Sequence, residues 1–260
     1  MPFRQAGAIR YFSFDAFDER ILHAVFTRHG GVSRAPWASL NMGATVGDEP
    51  ANVAENRRRA FGSVGREPES SFDAWLVHGA DVICAEEPRS PHSVPAKADA
   101  VLTDNPKVTL FLRFADCVPI LLHDVRRNVV GIVHAGWLGT VRGAARAAIA
   151  RMVERYRSDP ADIIAAIGPS IGPDHYQIGA DVVSQVRDAF GSVAETLLTT
   201  RAGYTHFDLW AGNRHQLESM GVRQIENAGL CTVCSMEDWY SHRGEHGKTG
   251  RFGALIAPAG

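Results

Sequence analysis

Between Val108 and His134 the chain passes through three short apolar segments in close succession: Val108–Arg113, Ile120–His123 and Val129–His134. Each is rich in Val, Ile, Leu or Phe and has Gly, Pro, Asp or Asn near its ends, which predicts buried strands rather than helix. Ile21–Thr27, Ala74–His78, Asp81–Ala85, Ile163–Ile167 and Phe252–Ala257 carry the same signal. Helices are expected over Thr140–Tyr156, where Val141, Ala145, Ala148, Met152 and Tyr156 share a stripe, and over Asp181–Phe190 and Asp208–Met220, the last closed by Gly221. Short strands mixed with a few helices predict an α/β or α+β fold with mixed sheets flanked by helices. No repeat and no linker divides residues 1–260, so one domain is expected, with Glu86–Pro95 a surface loop.

Composition narrows the partners. Lys plus Arg is 27 against 29 for Asp plus Glu, a net charge of −2 that leaves no global footprint for nucleic acid or an anionic membrane. No apolar run approaches the roughly 18–20 residues needed to span a bilayer; the longest, Val108–Leu122, is interrupted by Arg113, Asp116 and Pro119. No signal-like start precedes the globular sequence, and four cysteines are too sparse for a secreted disulfide framework. A reducing cytoplasm is the expected compartment.

Chemistry concentrates at strand ends and in glycine-containing loops. Cys117, in Ala115-Asp116-Cys117-Val118-Pro119, lies between two apolar strands, and His134 ends the next strand, just before Ala135-Gly136-Trp137. A Cys and a His so placed serve either as nucleophile and base or as two zinc ligands. Arg28-His29-Gly30-Gly31 reads by itself as a tight turn. His29, His78 and His246 each precede a glycine, where random placement gives about one such pair. Cys231-Thr232-Val233-Cys234 is a C-x-x-C, but His242 and His246 follow at an interval shorter than the ~12 residues of a zinc finger, so it reads as ordinary thiols. The stretch from Tyr240 to Arg251 carries Arg243, Lys248 and Arg251 among three glycines, a composition able to hold a phosphate or to form a solvated loop.

Taken in order, several motifs resemble the YfiH family, also labelled multicopper polyphenol oxidase or laccase-domain proteins. They are His78-Gly79-Ala80-Asp81-Val82, Ala98-Asp99-Ala100, Ala115-Asp116-Cys117-Val118-Pro119, His134-Ala135-Gly136-Trp137, Ile167-Gly168-Pro169-Ser170-Ile171-Gly172-Pro173, Cys231-Thr232 and Lys248-Thr249-Gly250-Arg251. The resemblance runs from about Thr27 to Ile256. It implies a mixed α/β fold shared with a bacterial toxin deamidase that has a Cys-His pair. It further implies a metal held by His78, Cys117 and His134, zinc in preference to copper, with the same three residues catalytic. The activity implied is phosphorolysis of inosine, adenosine or methylthioadenosine, with deamination of adenosine at purine C6 as an additional reaction. Oxidase chemistry on a trinuclear copper cluster needs His-x-His pairs, and the sequence has none.

Within that resemblance, Arg28, Arg243, Lys248 and Arg251 are expected to hold phosphate, Asn41 joins them as a substrate-binding candidate, and His242 or Asp99 is a candidate proton donor. The chain departs from the family pattern at Leu76, Phe114 and Leu138, positions where polar residues are usual. Two other readings stay open: a cysteine hydrolase using Cys117 and His134, and a purine- or partner-binding protein without catalysis.

Overall fold

The computed structural model describes residues 2–90 and 93–260; Pro91 and His92, within the expected Glu86–Pro95 loop, lie outside the described residues. The strands, in chain order, are β1 (Phe3–Ala6), β2 (Ile9–Phe12), β3 (Leu22–Phe26), β4 (Ser71–Phe72), β5 (Val82–Cys84), β6 (Ala100–Thr103) and β7 (Thr109–Phe114). They continue with β8 (Val118–Asp124), β9 (Val129–Ala135), β10 (Ile163–Ile167), β11 (Leu198–Arg201), β12 (Tyr204–Phe207), β13 (Gln224–Asn227) and β14 (Phe252–Ala257). The helices are α1 (Pro50–Gly62), α2 (Trp137–Arg142), α3 (Ala144–Tyr156), α4 (Ala180–Phe190), α5 (Ala194–Leu197) and α6 (Leu209–Ser219).

Two six-stranded mixed sheets form the centre, one ordered β1-β2-β3-β14-β7-β4 and the other β13-β10-β8-β9-β6-β5. The alternation of side chains along each strand sorts residues to opposite faces. Phe252, Ala254 and Ile256 of β14 meet Leu121, Val130 and Ile132 between the sheets. Leu255, on the opposite face of β14, packs with Phe61 of α1 and with Phe26 and Phe111. Ile120 and Leu122 face Ala145, Ala148 and Met152 of α3. The layers therefore run α1, first sheet, second sheet, helices: a mixed α+β fold. Among the described residues no helix is long and apolar enough to cross a membrane.

Two expected elements change form. The stripe from Thr140 to Tyr156 is divided by Gly143, whose φ of +82° ends α2 and opens α3. Ala74–His78 is not a strand beyond one bridge from Trp75 to Lys97. The backbone N–H groups of Val77, His78 and Gly79 donate instead to the Asp99 carboxylate, at 3.1, 3.0 and 2.7 Å. Donors that would serve a strand ladder here serve an anion.

Candidate metal centre and arginine-lined cavity

Sheet register assembles the first cluster. Antiparallel pairing sets Val118 opposite Ala135 and Pro119 opposite His134, so the start of β8 and the end of β9 share one edge of the second sheet. Cys117, just before β8, is thereby brought beside His134. The β6–β9 pairing sets Ala100 opposite Val133, and His134 N–H extends it by donating to the Asp99 carbonyl at 2.7 Å. Parallel β5 aligns Val82 with Ala100, which carries the His78 loop to the same edge. His78 has φ +56° and Asp116 φ +82°, a region that costs a non-glycine residue about 1–3 kcal/mol and is common at functional sites.

The ligand atoms of His78, Cys117 and His134 lie within 4.8 Å of one another. Asp99, fully buried, holds His134 Nδ1 at 2.9 Å, which leaves Nε2 for a metal. Burial opposes the charge on Asp99, but the His134 hydrogen bond and the backbone N–H groups of Gly79 and Val77 outweigh it and lower its pKa. Asp99 is thus an acceptor that orients His134; the expected role of proton donor does not fit a carboxylate so held. Burial likewise opposes ionisation of Cys117, yet the charge and hydrogen bond of His134, with the hydrogen bond from His78, bring its thiol down to about 6. Against its own burial, His134 is raised to about 9 by the Cys117 charge and the Asp99 hydrogen bond. Both shifts favour thiolate with imidazolium in the metal-free pair, the form whose proton a metal would displace. Gly136 makes the room: a Cβ there would lie 2.8 Å from Cys117 Sγ and 3.1 Å from His78 Cδ2.

All three side chains open onto a cavity of about 650 Å³. Its described lining holds five arginines (Arg57, Arg89, Arg113, Arg243 and Arg251) against two aspartates, Asp73 and Asp116. Asp73 is already shared by Arg89 and Arg113. Arg57 is anchored on the Met42 carbonyl, Arg251 on those of Thr249 and Gly250, and Arg243 on those of His175 and Gln177. Carbonyls fix these guanidiniums without cancelling their charge. Burial, then the Arg113 charge, lowers Arg57 to about 10, and burial lowers Arg251. The arrangement favours a bound anion.

Sequence-expected residues divide sharply at this cavity. Arg243, Arg251 and His242 line it. Arg28 does not: its guanidinium bonds the Ala38 and Met236 carbonyls and Glu245, and lies 4.5 Å from the Tyr240 ring. Asn41 is fully buried, bonded to Asp48 and to Arg251 N–H, and so supports the Arg251 segment without lining the cavity. Lys248 is exposed and outside the lining. Leu76 lines the cavity, whereas Phe114 is buried between His134, at 5.5 Å, and Phe252, at 5.9 Å. Leu138 lies on α2, outside the lining. Arg57, Arg89 and Arg113 were absent from the sequence-based set; they are distant in sequence, and the only signal was the Asn56-Arg57-Arg58-Arg59 run on α1.

Residues 22–259 match the family described as multi-copper polyphenol oxidoreductase laccase. A Deinococcus radiodurans protein named purine nucleoside phosphorylase is 39% identical over 90% of this chain and 88% of its own length. Purine nucleoside phosphorylase YlmD of Bacillus subtilis is 34% identical over 92% of this chain and 89% of its own. The crystal structure of YlmD from Geobacillus stearothermophilus superposes with a TM-score of 0.93 at 33% identity, covering 100% of this chain and 99% of that one.

Proposed function

Because the chain belongs to the multi-copper polyphenol oxidoreductase laccase family, which includes the YfiH and YlmD proteins, we propose that it is a zinc-dependent purine nucleoside phosphorylase. One observation supports this reading above the others: a three-ligand thiolate–imidazole cluster and an arginine-rich wall face the same cavity. A volume of about 650 Å³ lies within the range of small-molecule sites and accommodates a nucleoside with phosphate.

The donor set fits zinc. Two imidazoles and one thiolate are borderline-soft ligands, Asp99 orients one of them, and three protein ligands leave a fourth position open. Bound there, zinc supplies Lewis-acid stabilisation of developing negative charge. The chain's own residues do the rest. Arg57, Arg243 and Arg251 bind phosphate and orient an oxygen towards C1′ of the ribose. The C1′–N9 bond breaks as the phosphate–C1′ bond forms, and the departing purine takes a proton, for which His242 is the lining candidate. Trp75, half exposed at the cavity, offers an aromatic face to the base. Four free thiols accord with a reducing compartment such as the cytoplasm.

Adenosine as substrate separates the reactions. Phosphorolysis yields adenine and ribose 1-phosphate only when phosphate is present, whereas deamination yields inosine without it. The reading predicts adenine as the phosphate-dependent product; inosine alone would move the assignment to a deaminase. Absence of both products in zinc-loaded protein, with inosine and methylthioadenosine also unconverted, would leave a binding protein.

A further inference from the structure

A second thiol–imidazole cluster lies outside the cavity lining, formed by His175, Cys231 and Cys234. Two turns build it. Ser235 N–H donates to the Cys231 carbonyl at 3.1 Å, closing the turn that returns Cys234 towards Cys231. His175 and Tyr176 N–H both donate to the Gly172 carbonyl, closing the turn that carries His175. A bridge from Ser170 to Cys231 joins the two segments.

The distances are those of a metal site. Cys231 Sγ and Cys234 Sγ each lie 3.6 Å from the same nitrogen, His175 Nδ1. For tetrahedral zinc with Zn–S of about 2.3 Å and Zn–N of about 2.05 Å, the sulfur–nitrogen edge comes to ~3.6 Å. All three ligand atoms lie within 4.8 Å of one another. Gly172 N–H donates to Cys231 Sγ at 3.2 Å, an outer hydrogen bond of the kind that steadies a ligating thiolate. Gly172 also leaves the space: a Cβ there would lie 3.2 Å from the same sulfur. Cys234 is exposed, so an ion has an entry path and a fourth position open to solvent.

We propose that His175, Cys231 and Cys234 form a second soft-metal site that takes zinc and clips the turn carrying Tyr176, a cavity-lining residue, to the Cys231–Cys234 turn behind it. Tyr176, next to His175, lines the cavity and meets Arg243, downstream of Cys234, whose guanidinium carbon lies 5.3 Å from the Tyr176 ring centroid and whose Nη1 reaches the His175 carbonyl at 3.4 Å. Thr232, next to Cys231, donates through Oγ1 to Asp116 at 2.6 Å, beside Cys117. The site rests on its own geometry and stands whether or not the chain is a phosphorylase.

The test is zinc stoichiometry on reduced, chelator-stripped full-length protein. The expected pattern is two equivalents for the wild type, one for Cys234→Ser, one for Cys117→Ala and none for the double variant. His175→Asn repeats the Cys234→Ser result should that variant fold poorly. In Cys117→Ala, zinc should shield two of the three remaining thiols from a thiol reagent. Cobalt should give thiolate-to-metal charge-transfer absorption there that disappears on adding Cys234→Ser. One equivalent in both wild type and Cys234→Ser overturns the proposal. So does a Cys231–Cys234 disulfide that, once reduced, binds no metal, because the pair is then a redox couple.

Discussion

Among the described residues the chain carries two Cys–His clusters of the same donor types in inverted proportion, one Cys with two His and two Cys with one His. The first is set by sheet register: its Cys and one His sit at the paired ends of β8 and β9, and buried Asp99 fixes that His. The second is set by two turns, with an exposed Cys and, among the described residues, no carboxylate hydrogen-bonded to its imidazole. Only the first opens into the arginine-lined cavity. Donor type alone therefore does not set the two apart; the first, which the proposed function makes the catalytic centre, has rigid placement, an orienting anion and access to substrate-sized space.

Substitution of the glycine behind each sulfur probes that contrast with the largest effect. Gly136→Ala places a Cβ 2.8 Å from Cys117 Sγ, while Gly172→Ala meets Cys231 Sγ at 3.2 Å. A displacement of order 1 Å in a reacting constellation costs about 10²-fold, so Gly136→Ala should lower nucleoside turnover by that factor and Gly172→Ala by much less. Equal losses would show that the two clusters constrain the cavity equally. Asp99→Asn, which keeps the shape but removes the charge holding His134, should weaken zinc at the first cluster by roughly 10–100-fold. Competition with a chelating dye reads that loss, and the second cluster should be untouched.

A smaller effect separates the thiols in metal-free protein. Cys117 is brought down to about 6, whereas burial, then the hydrogen bond and charge of Cys231, push Cys234 above the ordinary thiol range. Only the thiolate alkylates. Iodoacetamide should therefore modify Cys117 at half its plateau rate near pH 6, and its rate should fall about tenfold per unit below that. Cys234 should still be accelerating well above neutrality. Peptide mapping of the modified sites distinguishes them, and a Cys117 profile that climbs alongside Cys234 would remove the imidazolium from the account.

The same contrast explains what the sequence made legible. Strands β7 to β10 and β14 stood out because both of their faces are buried, which concentrates Val, Ile, Leu and Phe into runs. Helix α1 was hidden because one buried position is Asn56, bonded to Val32, Ser33 and Asn41, which breaks an apolar stripe. Cys117 and His134 were legible as strand-end residues; His78 needed the family motif, since its loop imitates a strand whose N–H groups turn to Asp99. Of the arginine wall, Arg243 and Arg251 were legible in the Tyr240–Arg251 stretch, whereas Arg57, Arg89 and Arg113 converge on the cavity only through tertiary structure. The C-x-x-C reads as ordinary thiols because no histidine follows at a finger-like interval; the imidazole that lies beside both sulfurs is that of His175, far upstream.

The central claim is that the first cluster and the arginine wall act together on a nucleoside and phosphate. Its most direct test is turnover of inosine by zinc-loaded protein as phosphate is titrated, with hypoxanthine and ribose 1-phosphate measured separately and Cys117→Ala as control. The account predicts equimolar products that require phosphate and vanish in Cys117→Ala. Hypoxanthine released without phosphate, or equal turnover in Cys117→Ala, would contradict it.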